Sequence, residues 1–278
     1  MQIVQYHVAI RRTNGQAHRV MDTYSNTQMK HNPTVSLREA KERAEAIDSS
    51  RDYEKFVEIT RKRFPWHSQI PLTVLERDYL RVVDHHLQYL IPHVQRYVGP
   101  NIRRVLDFGC GSGGSAIALA MVCPEVYFYG TDVNADEIAI AHERAKLYNV
   151  ADRCEFHHIG EGQSLPFSDG YFDFCQCSSV LEYVLDIKLR RFCVQEMVRL
   201  VNQQGLLFFS VPNRLYPFEI HRLKWGWNYF PKWFKATTVD SSFWEVRKLA
   251  RPTALELHRT PIVQLFRPWS NFCLKKKD

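Results

Sequence analysis

Residues 105–115 read Val105-Leu106-Asp107-Phe108-Gly109-Cys110-Gly111-Ser112-Gly113-Gly114-Ser115, an apolar strand running into a glycine-rich turn, and the small residues 116–121 behind it read as a helix. Glycine at every second position lets the backbone turn sharply and approach a ligand closely, because a Cβ there would forbid the geometry or collide with the ligand. Taken alone, such a turn is also the ordinary tight strand-to-helix connection of any α/β protein. The dinucleotide fingerprint can be read on Gly109, Gly111 and Gly114 as well, which keeps a nicotinamide oxidoreductase in view. Asp107 argues against it. Two residues before the first glycine, a carboxylate can accept from loop amides and face a cationic ligand group, whereas a pyrophosphate would be repelled.

With these residues in place the chain resembles the class I S-adenosylmethionine-dependent methyltransferases, whose first motif reads much like residues 105–113. Further stretches follow in the family's order. Val126-Tyr127-Phe128-Tyr129-Gly130-Thr131-Asp132 is a β-rich run ending in an acid about 20 residues past the turn, where a carboxylate can hold both ribose hydroxyls. Residues 134–148 read as the crossover helix. A third strand over residues 153–159 leads into Gly160-Glu161-Gly162-Gln163-Ser164-Leu165-Pro166-Phe167, similar to the family segment that lines the adenine. The resemblance implies that Glu161 accepts from the adenine amino group and that the Gly162 backbone meets the ring edge, although the family has Asp and Ala there. Residues 172–184 resemble the fourth strand and its turn, with Tyr183 where the family's Leu-Glu-His places histidine. Cys177, at the end of that strand, is counted with the cofactor-binding positions. A helix over 192–200 and a buried fifth strand over 205–213 complete the alternation, which implies a parallel sheet.

The fold expected is therefore α/β and Rossmann-like, with a mostly parallel seven-stranded sheet and helices on both faces. At 278 residues the chain is long enough for one such core with additions. Residues 1–65 read as an N-terminal extension: an alternating run over 4–11 meets Asn14-Gly15, the strongest short hairpin signal, and Ser36-Leu37-Arg38-Glu39 resembles a capping box starting a charged helix to about Ile47. A second helix is expected over 52–62, and a third over 72–98, broken near Pro92. Residues 66–278 form the catalytic domain, with a lid inserted at about 213–250.

That lid interleaves aromatic and basic residues in Leu223-Lys224-Trp225-Gly226-Trp227-Asn228-Tyr229-Phe230-Pro231-Lys232-Trp233-Phe234-Lys235, a composition able to cap an apolar acceptor, stack on bases or lie on a membrane surface. A formal charge of +7 is modest at this length and does not choose among such partners. The fourth-strand turn, Cys175-Gln176-Cys177-Ser178, carries neither motif of the base-methylating enzymes, so nucleic acid is not the expected acceptor. No run of 18 apolar residues and no signal-like N-terminus occurs, and a soluble cytoplasmic protein is expected. The seven cysteines show no metal spacing, so neither disulfides nor a metal is expected. Lys275-Lys276-Lys277 reads as a solvated tail.

The cofactor implied is S-adenosylmethionine, with Asp107, Gly109, Gly111, Gly113, Asp132, Glu161, Gly162 and Cys177 around it. The reaction expected is O-methylation of a small-molecule, sugar or lipid-linked acceptor. A base within about 3 Å of an acceptor hydroxyl would help; His221, just past the fifth strand, is the candidate, with Tyr183 second. The competing view is a cofactor-binding module without catalysis, whose lid recognises a partner, a membrane surface or RNA.

Overall fold

In the computed structural model the chain is described over residues 35–63, 82–213, 218–219, 224–225, 243–250, 255–259 and 269–277. Two helices come first. α1 (Leu37–Asp48) starts at Ser36, whose hydroxyl accepts from the Glu39 amide at 3.2 Å, as the capping pattern predicts. α2 (Arg51–Arg63) follows after a two-residue turn, with Tyr53, Phe56 and Thr60 on its buried face. α3 (Val82–Tyr89) is separated at Leu90 from a short helical turn, Ile91–Val94. The break falls there because Pro92 brings no N–H to continue the ladder. The hairpin expected over residues 4–21 lies outside the described residues.

Strands and helices then alternate: β1 (Arg104–Phe108), α4 (Gly114–Val122), β2 (Tyr127–Asp132), α5 (Ala135–Leu147), β3 (Cys154–His158), β4 (Phe172–Ser178), α6 (Ile187–Leu200) and β5 (Val201–Pro212). A two-residue pair, β6 (Phe218–Glu219) and β7 (Lys224–Trp225), precedes α7 (Phe243–Leu249), β8 (Leu255–Arg259) and β9 (Trp269–Lys276). The main sheet has seven strands in the order β3-β2-β1-β4-β5-β9-β8. The first five are parallel, and β9 pairs antiparallel with both β5 and β8. The order reverses at β1 and β4, so the carboxyl ends of these strands open a crevice of the kind in which open α/β sheets bind ligands.

Side chains divide by strand parity. Val105, Phe128, Phe174 and Phe208 face a core under α1, α3, α4 and α5, while Leu106, Cys175, Leu207 and Phe209 face a second core under α6 and α7. Every residue of α4 is buried, because α1 and α3 cover the side turned away from the sheet. An unbroken apolar helix needs that all-round cover. No helix joins β3 to β4. Tyr129, Phe167, Tyr171 and Phe172 cover that face instead, with centroids 4.9–5.8 Å apart, Phe167 stacked on Tyr171 and the other pairs meeting edge to face. The loop is pinned by Arg199, which donates to the carbonyls of Leu165 and Phe167 and pairs with Glu196 and Asp169.

The C-terminal lysines depart from the expected tail. Lys275 and Lys276 belong to β9, and Lys276 Nζ donates to the carbonyls of Val198 (2.8 Å) and Val201 (2.7 Å) at the end of α6. A cation there satisfies orphan carbonyls and the negative end of the helix dipole. Among the described residues no helix is long and apolar enough to cross a membrane.

Candidate functional site

The glycine turn owes its shape to backbone that side chains rarely adopt: Gly109, Gly111 and Gly113 have φ of 73°, 51° and 80°. Their surroundings differ. A Cβ on Gly109 would overlap the Val180 side chain, and one on Gly113 would come within 2.9 Å of both Ala141 and Phe156. A Cβ on Gly111 would meet nothing within 4 Å. Gly109 and Gly113 thus admit close packing, while Gly111 leaves an open approach to the crevice.

β2 fastens this turn. The Thr131 carbonyl accepts from the amides of Gly109 (2.8 Å) and Cys110 (2.9 Å). Asp132 Oδ2 accepts from the Gly111 amide at 2.8 Å, and Oδ1 from the Asn134 amide at 2.9 Å. The carboxylate is therefore fixed at the strand end with further lone pairs to offer. Beside it, the Ile159 amide donates to the Asp132 carbonyl at 3.0 Å, which leads the chain into the turn 160–163. Glu161 and Gly162 are the exposed central residues of that turn, and Gly162 takes φ 73°. Glycine turn, Asp132 and Glu161-Gly162 accordingly share one edge of the sheet, and Val180 brings the exit of β4 onto it.

Two expected positions are placed differently. Asp107 is 2% exposed and accepts from the Ser115 hydroxyl in the first turn of α4; the turn amide fixed by a carboxylate, that of Gly111, is bound to Asp132 instead. Cys177 is buried with Cys175 and Leu207 in the core under α6, so parity makes its side chain packing rather than a cofactor contact. Tyr183 is half-buried in the turn after β4, its amide donating to the Val180 carbonyl at 3.0 Å. His221 and most of the expected lid lie outside the described residues.

Residues 105–205 match a family described as "Methyltransferase domain". The chain is 29% identical over 121 residues to a ubiquinone biosynthesis O-methyltransferase of Aromatoleum aromaticum, covering 44% of this chain and 49% of that protein. It is 34% identical over 113 residues to a probable S-adenosylmethionine-dependent methyltransferase of Mycobacterium tuberculosis, covering 41% and 37%. A solved SAM-dependent methyltransferase of Methanosarcina mazei shares the fold, with a TM-score of 0.52 at 18% identity over 67% of this chain and 97% of that one. Residues 105–205 therefore carry a methyltransferase domain, and these findings support the class I S-adenosylmethionine-dependent methyltransferase superfamily for it. It spans about half or less of the length of these two curated relatives.

The charges at the edge suit this superfamily's cofactor, S-adenosylmethionine, which carries a sulfonium and an ammonium. Burial pushes Asp107 up to about 6, against the pull of the Ser115 hydroxyl, and the Asp132 charge adds to the rise. Burial likewise raises Glu137 to about 7, with Arg144 opposing and Asp132 adding, and raises Asp132 itself. The Cys110 thiol beside them is held well above its ordinary range by burial and by all three carboxylates. Acids that hinder one another's ionisation are relieved by an incoming cation and would be worsened by a pyrophosphate. With the open side of Gly111, the residues present fit an adenosyl sulfonium.

The sequence reading missed three polar groups. Arg144, read as surface charge on a crossover helix, is 1% exposed and donates to Ser112 inside the turn. Glu182 and the Ser178 hydroxyl, at the exit of β4, are buried, and their side-chain oxygens have no hydrogen-bond partner among the described residues. Only the polar letter inside an apolar run at Glu182 hinted at this; Arg144 had no local signal.

Proposed function

We propose that this protein is an S-adenosylmethionine-dependent methyltransferase acting on an oxygen of a small-molecule, sugar or lipid-linked acceptor. One observation carries the reading: Asp132, locked by the Gly111 and Asn134 amides, stands beside an open glycine turn with the buried carboxyls of Asp107 and Glu137, whose ionisation burial and the Asp132 charge oppose. In this reading Asp132 holds the two ribose hydroxyls, the turn at Glu161 and Gly162 meets the adenine, and the backbone of Gly109, Gly111 and Gly113 cradles the amino-acid part. The bound sulfonium supplies an electrophilic methyl group. The chain's task is then alignment of nucleophile, methyl carbon and sulfur, which alone supplies several kcal/mol. His221 takes the acceptor proton, and Tyr183 is the second candidate for that role. The assignment of oxygen is supported by the name of the Aromatoleum aromaticum relative.

The test is label transfer from methyl-tritiated S-adenosylmethionine to separate phenol, sugar and lipid-extract pools, for wild type and His221→Ala. The reading expects base-stable label in one pool and a loss of roughly a hundredfold in the variant at unchanged cofactor affinity. Cofactor binding without transfer to any pool would contradict it and leave a binding module.

A further inference from the structure

Arg144 heads the fully buried side chains by volume, and its environment is unlike that of a packing residue. Its Nη1 donates to the Ser112 carbonyl at 2.9 Å and to the Ser112 hydroxyl at 2.8 Å. Its guanidinium lies 5.2 Å from the ring centroid of Phe56, a buried residue of α2. Tyr148, the C-cap of α5 four residues further on, donates to Asp48 of α1 at 2.5 Å. α2 therefore reaches the arginine, and through it the turn, while α1 is fastened to the neighbouring Tyr148. Ser112 stands between Gly111 and Gly113, both at positive φ, where the backbone has most freedom to lose. Two charge-assisted bonds to one residue remove that freedom at the point from which the Gly111 amide reaches Asp132.

We propose that Arg144, lying over the Phe56 ring and bonded to both oxygens of Ser112, is a positioning residue for the cofactor turn, which makes α2 part of the cofactor site. This rests on the reading of that turn as the cofactor's binding loop. The arginine does not touch the cofactor; it holds the turn in its binding shape before the ligand arrives, so its loss is felt as affinity. A lysine in its place keeps the charge but lacks the planar guanidinium that reaches Ser112 with one nitrogen while the rest of the group lies over the Phe56 ring.

The test is calorimetric titration of the full chain with S-adenosylmethionine, with a melting curve for each variant. Arg144→Lys should weaken binding about tenfold and Phe56→Leu about threefold. The double variant should be no weaker than Arg144→Lys by more than about twofold, since both act through one contact. Arg63→Ala, which removes an exposed α2 pair with Asp136 at 3.2 Å, should leave affinity unchanged. Folded Arg144→Lys and Phe56→Leu proteins that melt lower but bind like wild type would overturn the proposal and leave a purely structural arginine. If Arg144→Lys fails to fold, Phe56→Leu and Ser112→Ala decide by the same criterion. A wild-type chain that binds no S-adenosylmethionine fails the cofactor reading itself and takes this proposal with it, a result distinct from unchanged variants of a binding wild type.

Discussion

The two halves of the crevice handle buried polarity in opposite ways. Over β1 and β2 the charged groups are tied to protein partners: Asp132 to two amides, Asp107 to Ser115, Arg144 to Ser112. Past β4, the Glu182 carboxyl and the Ser178 hydroxyl are buried without such partners among the described residues, and Ser179 turns with φ 58°. Burial pushes Glu182 up to about 8, so near neutral pH it sheds its charge instead of pairing it. One half spends fixed hydrogen bonds to keep charge ready for a cationic ligand. The other keeps a neutral, proton-bearing acid at the exit of β4. Preorganisation belongs to the cofactor half.

The largest expected effect comes from breaking that half at its centre. Asp132→Ala removes an acceptor of two backbone amides and of the proposed ribose bonds, each worth about 1.5–3 kcal/mol for a charged acceptor, so S-adenosylmethionine affinity should fall a hundredfold or more. Unchanged affinity by calorimetry would remove Asp132 from the site.

Two glycine variants sharpen the comparison between packing and approach. Gly113→Ala places a methyl group against Ala141 and Phe156 at positive φ and should cost about 2–3 kcal/mol in denaturant unfolding. Gly111→Ala meets open space, so it should cost about 1 kcal/mol of stability from backbone strain while losing most cofactor affinity. Equal stability losses would show that Gly111 is packed after all.

The β4 half is probed by pH. Glu182 holds its proton up to about 8 when folded and only to about 4.3 when unfolded, so the folded chain binds the extra proton between those values and its stability falls as pH rises through them. Glu182→Gln should flatten this decline in melting temperature measured from pH 5 to pH 8. A parallel decline in both proteins would assign the dependence elsewhere. The smallest effect is Lys276→Met, which uncaps α6 and should cost about 1 kcal/mol in unfolding without touching cofactor affinity.

What the sequence discloses follows the range of the interactions. The strand-turn-helix of residues 104–122, the acid closing β2 and the Ser36 cap are local patterns, and each stands in the structure where periodicity or cap chemistry places it. α6 begins at Ile187, five residues before the expected start, because Asp186 caps it by accepting from the Lys188 amide. The groups that fit the site together are remote in sequence: Val180 against Gly109, Arg144 on Ser112, Phe56 on Arg144. No local period records such pairs. A basic residue on an amphipathic helix reads as solvated until the second helix that buries it is known, and a terminal lysine such as Lys276 reads as solvated until the helix end it caps is known.

The central claim is that the edge of β1 and β2 is a cofactor site built for a cation. The most direct test is calorimetric titration of wild type and Asp132→Ala with S-adenosylmethionine at pH 6 and pH 8. The account predicts micromolar binding by wild type that tightens toward pH 8, as Asp107 and Glu137 lose the protons they hold to about 6 and about 7, and loss of binding in the variant. Absence of binding by wild type, or equal binding by both proteins at both pH values, would contradict it.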